Sequence, residues 1–225
     1  MMIKTRKKRT RFAKPVIGLI GGIGSGKSFV AGQFVRIGCA VIDSDKLGHE
    51  VLKDPEVIAK LVRWWGGEVL DSHRQINRQW VARKVFSSPI ELRRLQKLVH
   101  PKIAILRDIM MRRLAMDNRV KAVVFDAPLL LESGVYKQCD AIIFVKTLKK
   151  NRLSRMAKSR GWGPAETTRR EKFQMPLDKK KQFADYTIDN DGDLAHCVSQ
   201  VRDVFFRVLT RFDRSKRAGG RASAD

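Results

Sequence analysis

The stretch "VIGLIGGIGSGKSFVAGQF", residues 16–34, passes from a short apolar run into Gly21, Gly22, Gly24 and Gly26, then Lys27 and Ser28, before it turns apolar again. Gly21, Gly26, Lys27 and Ser28 fit the pattern GxxxxGK[ST], and they stand where its chemistry needs them, after a strand-like run and at the start of a helix-like one. Main-chain N–H groups converge on phosphate oxygens only where side chains leave room, and glycine supplies both the room and the turns. A helix N-terminus adds unpaired donors and partial positive charge. The expectation is a nucleoside triphosphate held by Gly22, Ile23, Gly24, Ser25, Gly26, Lys27 and Ser28. Lys27 would reach the β- and γ-phosphates, and the Ser28 hydroxyl would ligate Mg²⁺.

Outward from this loop, residues 16–20 read as a buried strand and 27–37 as a helix closed by Gly38; residues 39–42 read as a second strand. Residues 47–114 lack strand signals and look mostly helical, with helices expected at 57–65, 79–86 and 90–114, the last broken by Pro101. Unbroken apolar runs return at 120–125 and 141–145. A dense basic helical stretch covers 149–181, interrupted around Gly161 to Pro164; a short strand is expected at 186–188 and an amphipathic helix at 194–212. Strands alternating with helices predict an α/β fold, a parallel sheet with helices on both faces, of the P-loop nucleoside-triphosphate hydrolase type. The expected organisation is a P-loop core at 15–48, 119–148 and 183–210, a helical insertion at 49–118 and a lid at 149–182. Residues 1–14 and 211–225, basic and poor in apolar side chains, are expected to be disordered tails.

The chain has 225 residues, 43% of them hydrophobic, enough for one principal domain with insertions. Its formal charge of +24 admits a nucleic-acid binder, a membrane-surface protein or an enzyme for polyanionic substrates. The distribution narrows this. Residues 1–14 carry seven Lys/Arg and no acid, and the tails together hold ten of the net charges. No apolar run is long enough to span a bilayer, and the basic N-terminus is not followed by a targeting segment. Cys39, Cys139 and Cys197 are too far apart for a CxxC pair or a zinc cluster, so they are expected to be reduced thiols in a cytoplasmic protein. Trp64, Trp80 and Trp162 are expected as core or rim aromatics rather than base-stacking platforms.

Acids stand where a phosphoryl acceptor and a metal would need them. Asp43 and Asp45, in "VIDSD", follow the second strand. In a doubly wound sheet the ends of neighbouring strands open on the same crevice. One such carboxylate can take the proton of an attacking hydroxyl, and the other can orient substrate or simply cap the next helix. Asp126, in "VVFDAPLLLE", stands where an acid acting on the metal through water is expected, or else closes a strand-end turn. No NKxD guanine signature occurs in the chain. An insertion of some seventy residues, 49–118, suits a pocket for a sizeable acceptor. These observations leave a small-molecule kinase acting on a nucleoside, nucleotide or sugar, or a nucleic-acid-associated P-loop ATPase.

The order of short motifs resembles the dephospho-coenzyme A kinases across most of residues 16–209: "GLIGGIGSGKS", "VIDSD", a "WG" at Trp65 and Gly66, "INRQWVARKVF", "HP" at His100 and Pro101, "PLLLE", a basic lid and "FADYTIDNDG". The resemblance implies transfer of the γ-phosphoryl group of ATP to the ribose 3′-hydroxyl of dephospho-coenzyme A, with ATP and Mg²⁺ required and nucleic acid not expected as a partner. It implies Asp45 as catalytic base. Asp43, Arg78, His100, Pro101, Leu129, Leu130 and Glu132 would contact the acceptor. Arg155 and Arg160 would be lid arginines reaching the phosphates, and Asn190 would lie near the adenine. A monomer is the expected state. The chain departs from the family pattern in Phe29 after the loop serine, in Trp65, and in the five-residue spacing of Arg155 and Arg160, which leaves Lys158 and Arg160 as alternative phosphate contacts.

Overall fold

A computed structural model describes residues 12–221, so the expected N-terminal tail lies largely outside the described residues, as do residues 222–225. The described residues divide into two compact units, one formed by residues 12–42 and 113–221 and the other by residues 43–112.

The first unit is built on a five-stranded sheet. Its strands are β1 (Val16–Ile20), β2 (Cys39–Asp43), β3 (Ala122–Asp126), β4 (Ala141–Lys146) and β5 (Tyr186–Asp189), in the order β2-β3-β1-β4-β5. The β1–β3, β1–β4 and β4–β5 pairs are parallel. β1, β3 and the first five residues of β4 are buried throughout, as expected for strands covered on both faces, which is why they read as continuous apolar runs. One face, with Ile17, Leu19, Val124, Ile143 and Ile188, packs on Val30 and Phe34 of α1 (Lys27–Arg36) and on Val201, Phe205 and Val208 of α9 (Leu194–Arg221). Phe34 and Phe205 meet edge to face at 6.1 Å. On the other face Gly18 lies so close to Leu130 that an added Cβ would stand 2.5 Å from its methyl carbon.

α9 continues through residues 213–221, where the sequence reading ends the helix at 212 and begins a disordered tail. Below Phe212 the helix turns polar, and backbone hydrogen bonding carries it on without an apolar face. Lys216 on this extension donates to the Ala13 carbonyl at 2.8 Å. Lys14 donates to the carbonyls of Leu114, at 2.8 Å, and Asp117, supplying positive charge and donors at a helix C-terminus.

The second unit, residues 43–112, is helical: α2 (Ser44–Val51), α3 (Pro55–Trp65), α4 (Arg78–Ser87) and most of α5 (Pro89–Met116). Its apolar cluster includes Val51, Val57, Leu61, Val69, Val81, Val85 and Val99, with Trp64, Trp65 and Trp80 packed at its margin. Asp54 caps α3, accepting from the amides of Glu56 and Val57, and Pro55 opens that helix with a φ already suited to it. α5 runs through Pro101, which the sequence reading takes as a break. Pro101 forfeits the bond to the Lys97 carbonyl, yet apolar residues on both sides, Leu95, Leu98, Val99 and Ile103, pack on one core and keep the two halves in one helix.

In the first unit the basic stretch folds as α6 (Lys149–Arg160), α7 (Pro164–Glu171) and α8 (Leu177–Lys181). Gly161, with φ +66°, closes α6, as a glycine in the left-handed region commonly does.

Candidate active site around the glycine loop

The loop joins β1 to α1, with β3 and β4 as the flanking strands. Gly24 takes φ +76°, and an added Cβ would come within 2.6 Å of the Arg152 carbonyl, so this position excludes other residues on two counts. Gly26, with φ +83°, stands directly before α1, and a Cβ there would collide with the Asn190 side-chain amide. Lys27 folds back over the loop, its Nζ donating to the carbonyls of Gly22 at 3.1 Å and Gly21 at 3.3 Å. The Ser28 hydroxyl donates to Asp126 Oδ2 at 2.8 Å. Asp126 closes β3 and is buried. Serine hydroxyl and carboxylate together are the hard oxygen donors that suit Mg²⁺, which keeps most of its shell for phosphate and water. Among the described residues no cluster of three or more His, Cys, Asp or Glu could hold a metal by itself.

Three side chains converge on the carbonyl of Ser25. Asn190 Nδ2 donates at 2.8 Å, Thr147 Oγ1 lies at 3.0 Å and an Arg155 guanidinium nitrogen at 3.3 Å. Arg155 also donates to the Asn190 carbonyl at 2.7 Å. Arg152 is buried, donates to the Ile23 carbonyl at 3.1 Å and pairs with Glu171 of α7. Arg160 is exposed and lies over the Trp162 ring with 4.9 Å to its centroid; Arg170 covers the same ring at 4.0 Å. The two expected lid arginines therefore differ: Arg155 rests on loop backbone, Arg160 on an aromatic face. Lys158 is exposed.

Leu130 is fully buried under β1, a core position, while Leu129 is half-buried. Glu132 accepts from the Met175 amide at 2.6 Å and pairs with Lys180 at 3.2 Å, so it ties the segment before α8 to the loop after β3. Lys180 is almost wholly buried and also donates to the Pro128 carbonyl at 3.2 Å. Burial pulls its pKa below the ordinary lysine value, and the charge of Glu132 works against that.

In the helical unit, Asp43 caps α2, its Oδ1 accepting from the amides of Asp45 at 2.9 Å and Lys46 at 3.0 Å. That is the capping duty the sequence left as one of two options. Asp45 is exposed in the first turn of the same helix. Arg78, at the start of α4, donates to the His49 ring at 3.0 Å. His100 and Pro101 lie mid-way along α5, both exposed. Local desolvation draws the His100 pKa below its ordinary value.

Thr147 and Arg152 are the loop contacts that sequence reading misses. Thr147 was open to discovery, since it follows β4 as Asp126 ends β3. Arg152 carries no such signal, because its neighbours Lys149, Lys150 and Arg155 make the whole helix look solvated.

A glycine loop between the central strand and a helix, with the acid of the adjoining strand bonded to its serine, defines the P-loop, nucleotide-binding class of α/β proteins. The sequence model of the dephospho-CoA kinase family matches residues 15–196. The chain belongs to that family. It is 38% identical to the dephospho-CoA kinase of Syntrophotalea carbinolica, over 86% of this chain and 92% of the relative, and 36% identical to that of Aquifex aeolicus, over 87% and 97%. Among solved structures it is similar to TT1252 from Thermus thermophilus, with a TM-score of 0.74 and 29% identity over 86% of this chain and 97% of the other. The fold is shared with dephospho-CoA kinase from Campylobacter jejuni, at a TM-score of 0.65 and 24% identity over 88% and 98%.

Proposed function

We propose that this chain transfers the γ-phosphoryl group of ATP to the ribose 3′-hydroxyl of dephospho-CoA, giving coenzyme A and ADP, the final step of coenzyme A synthesis. The observation that carries the reading is the phosphate loop with Ser28 bonded to Asp126, in a chain matched to the family over residues 15–196. Loop amides would hold the phosphates. Lys27, released from the Gly21 and Gly22 carbonyls, would follow the charge to the γ-phosphate. Asp45 would take the proton of the ribose hydroxyl as its oxygen bonds to the γ-phosphorus, and ADP would leave with the electron pair of the broken bond. Arg155 and Arg160 would place positive charge beside the transferring group, Arg155 from its seat on the loop and Arg160 from the exposed end of α6.

Mg²⁺ would be held by Ser28, with Asp126 acting on it through water and through that hydroxyl, and would neutralise phosphate charge when bound. Asp43, Arg78, His100, Pro101, Leu129, Leu130 and Glu132 remain acceptor contacts in this reading, and Asp43 and Glu132 also hold local structure. Three buried free thiols, Cys39, Cys139 and Cys197, suit a reducing compartment, and we take the cytoplasm as its site and the monomer as its working form. Among the described residues no helix is long and apolar enough to cross a membrane.

The test is ADP release measured in parallel with dephospho-CoA, adenosine, nucleoside monophosphates and gluconate. A marked preference for dephospho-CoA is expected, with coenzyme A identified by mass. Preference for a nucleoside monophosphate would overturn the acceptor assignment.

A further inference from the structure

The carbonyls of the glycine loop are held from behind. The Ser25 carbonyl takes Asn190 Nδ2 at 2.8 Å, with Thr147 Oγ1 at 3.0 Å, a hydroxyl it shares with the Lys146 carbonyl at 2.7 Å, and the Ile23 carbonyl takes Arg152 at 3.1 Å. Asn190 and Arg152 are buried to 4% and 5% exposure, so neither is a surface contact that water would replace at little cost. A trans peptide is planar, and its N–H points opposite to its C=O. Fastening the Ser25 carbonyl therefore aims the Gly26 amide the other way, and fastening the Ile23 carbonyl does the same for the Gly24 amide. Among the described residues neither amide donates to a protein acceptor. Both glycines sit at positive φ, +83° and +76°, where the absence of a side chain leaves the adjoining peptides easiest to turn over. A peptide turned over would present a carbonyl oxygen to a phosphate oxygen, replacing attraction by repulsion.

We propose that Asn190, supported by Thr147, is a positioning residue for phosphate binding: by holding the Ser25 carbonyl it fixes the Gly26 amide in the phosphate cradle. This rests on reading the loop as the ATP site, and it gives Asn190 a different task from the adenine contact implied by resemblance. Asn190 acts on the triphosphate, through the loop, and is indifferent to the base.

The test separates those tasks by removing the base. Affinities for ATP and for inorganic tripolyphosphate, each with MgCl₂, are measured by titration calorimetry on the wild type, Asn190→Leu, Thr147→Val and the double variant, with melting temperatures alongside. Loss of one buried hydrogen bond predicts that Asn190→Leu weakens both probes by the same factor, about tenfold, and Thr147→Val by about threefold. ATP weakened with tripolyphosphate unchanged would make Asn190 a base contact and overturn the proposal. A lowered melting temperature with both affinities intact would reduce it to a fold residue and overturn the proposal equally. Should Asn190→Leu fail to fold, Thr147→Val decides, and unchanged tripolyphosphate affinity there is fatal. A wild type that binds tripolyphosphate yet ignores dephospho-CoA would remove the acceptor reading and leave this proposal standing; a wild type that binds neither probe removes both.

Discussion

Around the glycine loop, polar and charged side chains are directed at main chain: Arg152 to the Ile23 carbonyl, Asn190 and Arg155 to that of Ser25, Lys27 to those of Gly21 and Gly22. In residues 43–112 most of them, Arg107 excepted, lie nearer the surface and hold helix ends or one another, as Asp43 caps α2, Lys102 meets Asp54 and Arg78 meets His49. The contrast follows from what each region would bind. A triphosphate offers fixed tetrahedral groups that repay a rigid, pre-aimed set of amides. A long, flexible acceptor is better served by exposed side chains on helices with room to adjust. Rigid backbone for the donor and adaptable side chains for the acceptor would divide the work between the units.

That division is broken most severely at Lys27. Lys27→Met should lower kcat/KM for ATP by about 10³-fold, since one donor aimed at transition-state charge is worth that much, and steady-state kinetics will measure it. A variant with wild-type turnover would remove the loop from the chemistry. Asp45→Asn comes next. Its kcat should fall by about 10²-fold or more while ATP affinity stays near wild type, because a general base acts on the transition state and leaves the nucleotide's ground state alone. If both parameters fall together, Asp45 belongs to nucleotide binding and the division between units fails.

A smaller effect sharpens the comparison from the other side. Asp126→Asn keeps the shape and the acceptor oxygen for Ser28 but removes the charge behind that hydroxyl. The Mg²⁺ concentration for half-maximal rate should rise by about tenfold, as for other groups that act on a metal through its ligand. A magnesium titration of initial rate reads this directly, and an unchanged midpoint would confine Asp126 to the fold.

The same contrast governs what could be read in advance. The loop, β1 and α1 were legible because GxxxxGK[ST] encodes a backbone requirement in consecutive residues, and β3 and β4 because strands buried on both faces are unbroken apolar runs. Asp126 was legible from its position at a strand end. Arg152 was not, for its burial depends on Gly22 and Gly24 making space beside Ile23, 129 residues away in the chain from Arg152, and on Glu171 arriving from the next helix. Pro101 misled because local rules count its lost hydrogen bond but not the core on which both halves of α5 pack. The extension of α9 beyond Phe212 misled for the opposite reason, since an apolar face marks where a helix packs and says little about where it stops.

The gentlest test falls on the helical unit alone. Lys102 of α5 reaches Asp54 at 2.7 Å, and that same carboxylate caps α3, so one side chain joins a helix start to the longest helix of the unit. The hydrogen bond from Lys102 holds the Asp54 carboxyl below its ordinary value of 3.8. A depressed carboxylate stabilises the fold fully above its unfolded value, and the contribution is lost as pH falls through the folded one. Unfolding midpoints should therefore hold steady above about pH 5 and decline below pH 3.8. Asp54→Asn retains a capping oxygen but loses the charge; it should lower the midpoint slightly at pH 6 and flatten the acid decline. Trp64, Trp65 and Trp80 all belong to this unit, so with Trp162→Phe as background the chain's tryptophan fluorescence follows it selectively. Parallel curves for the two proteins between pH 6 and pH 3 would show that the cap, and not the ion pair, carries the junction.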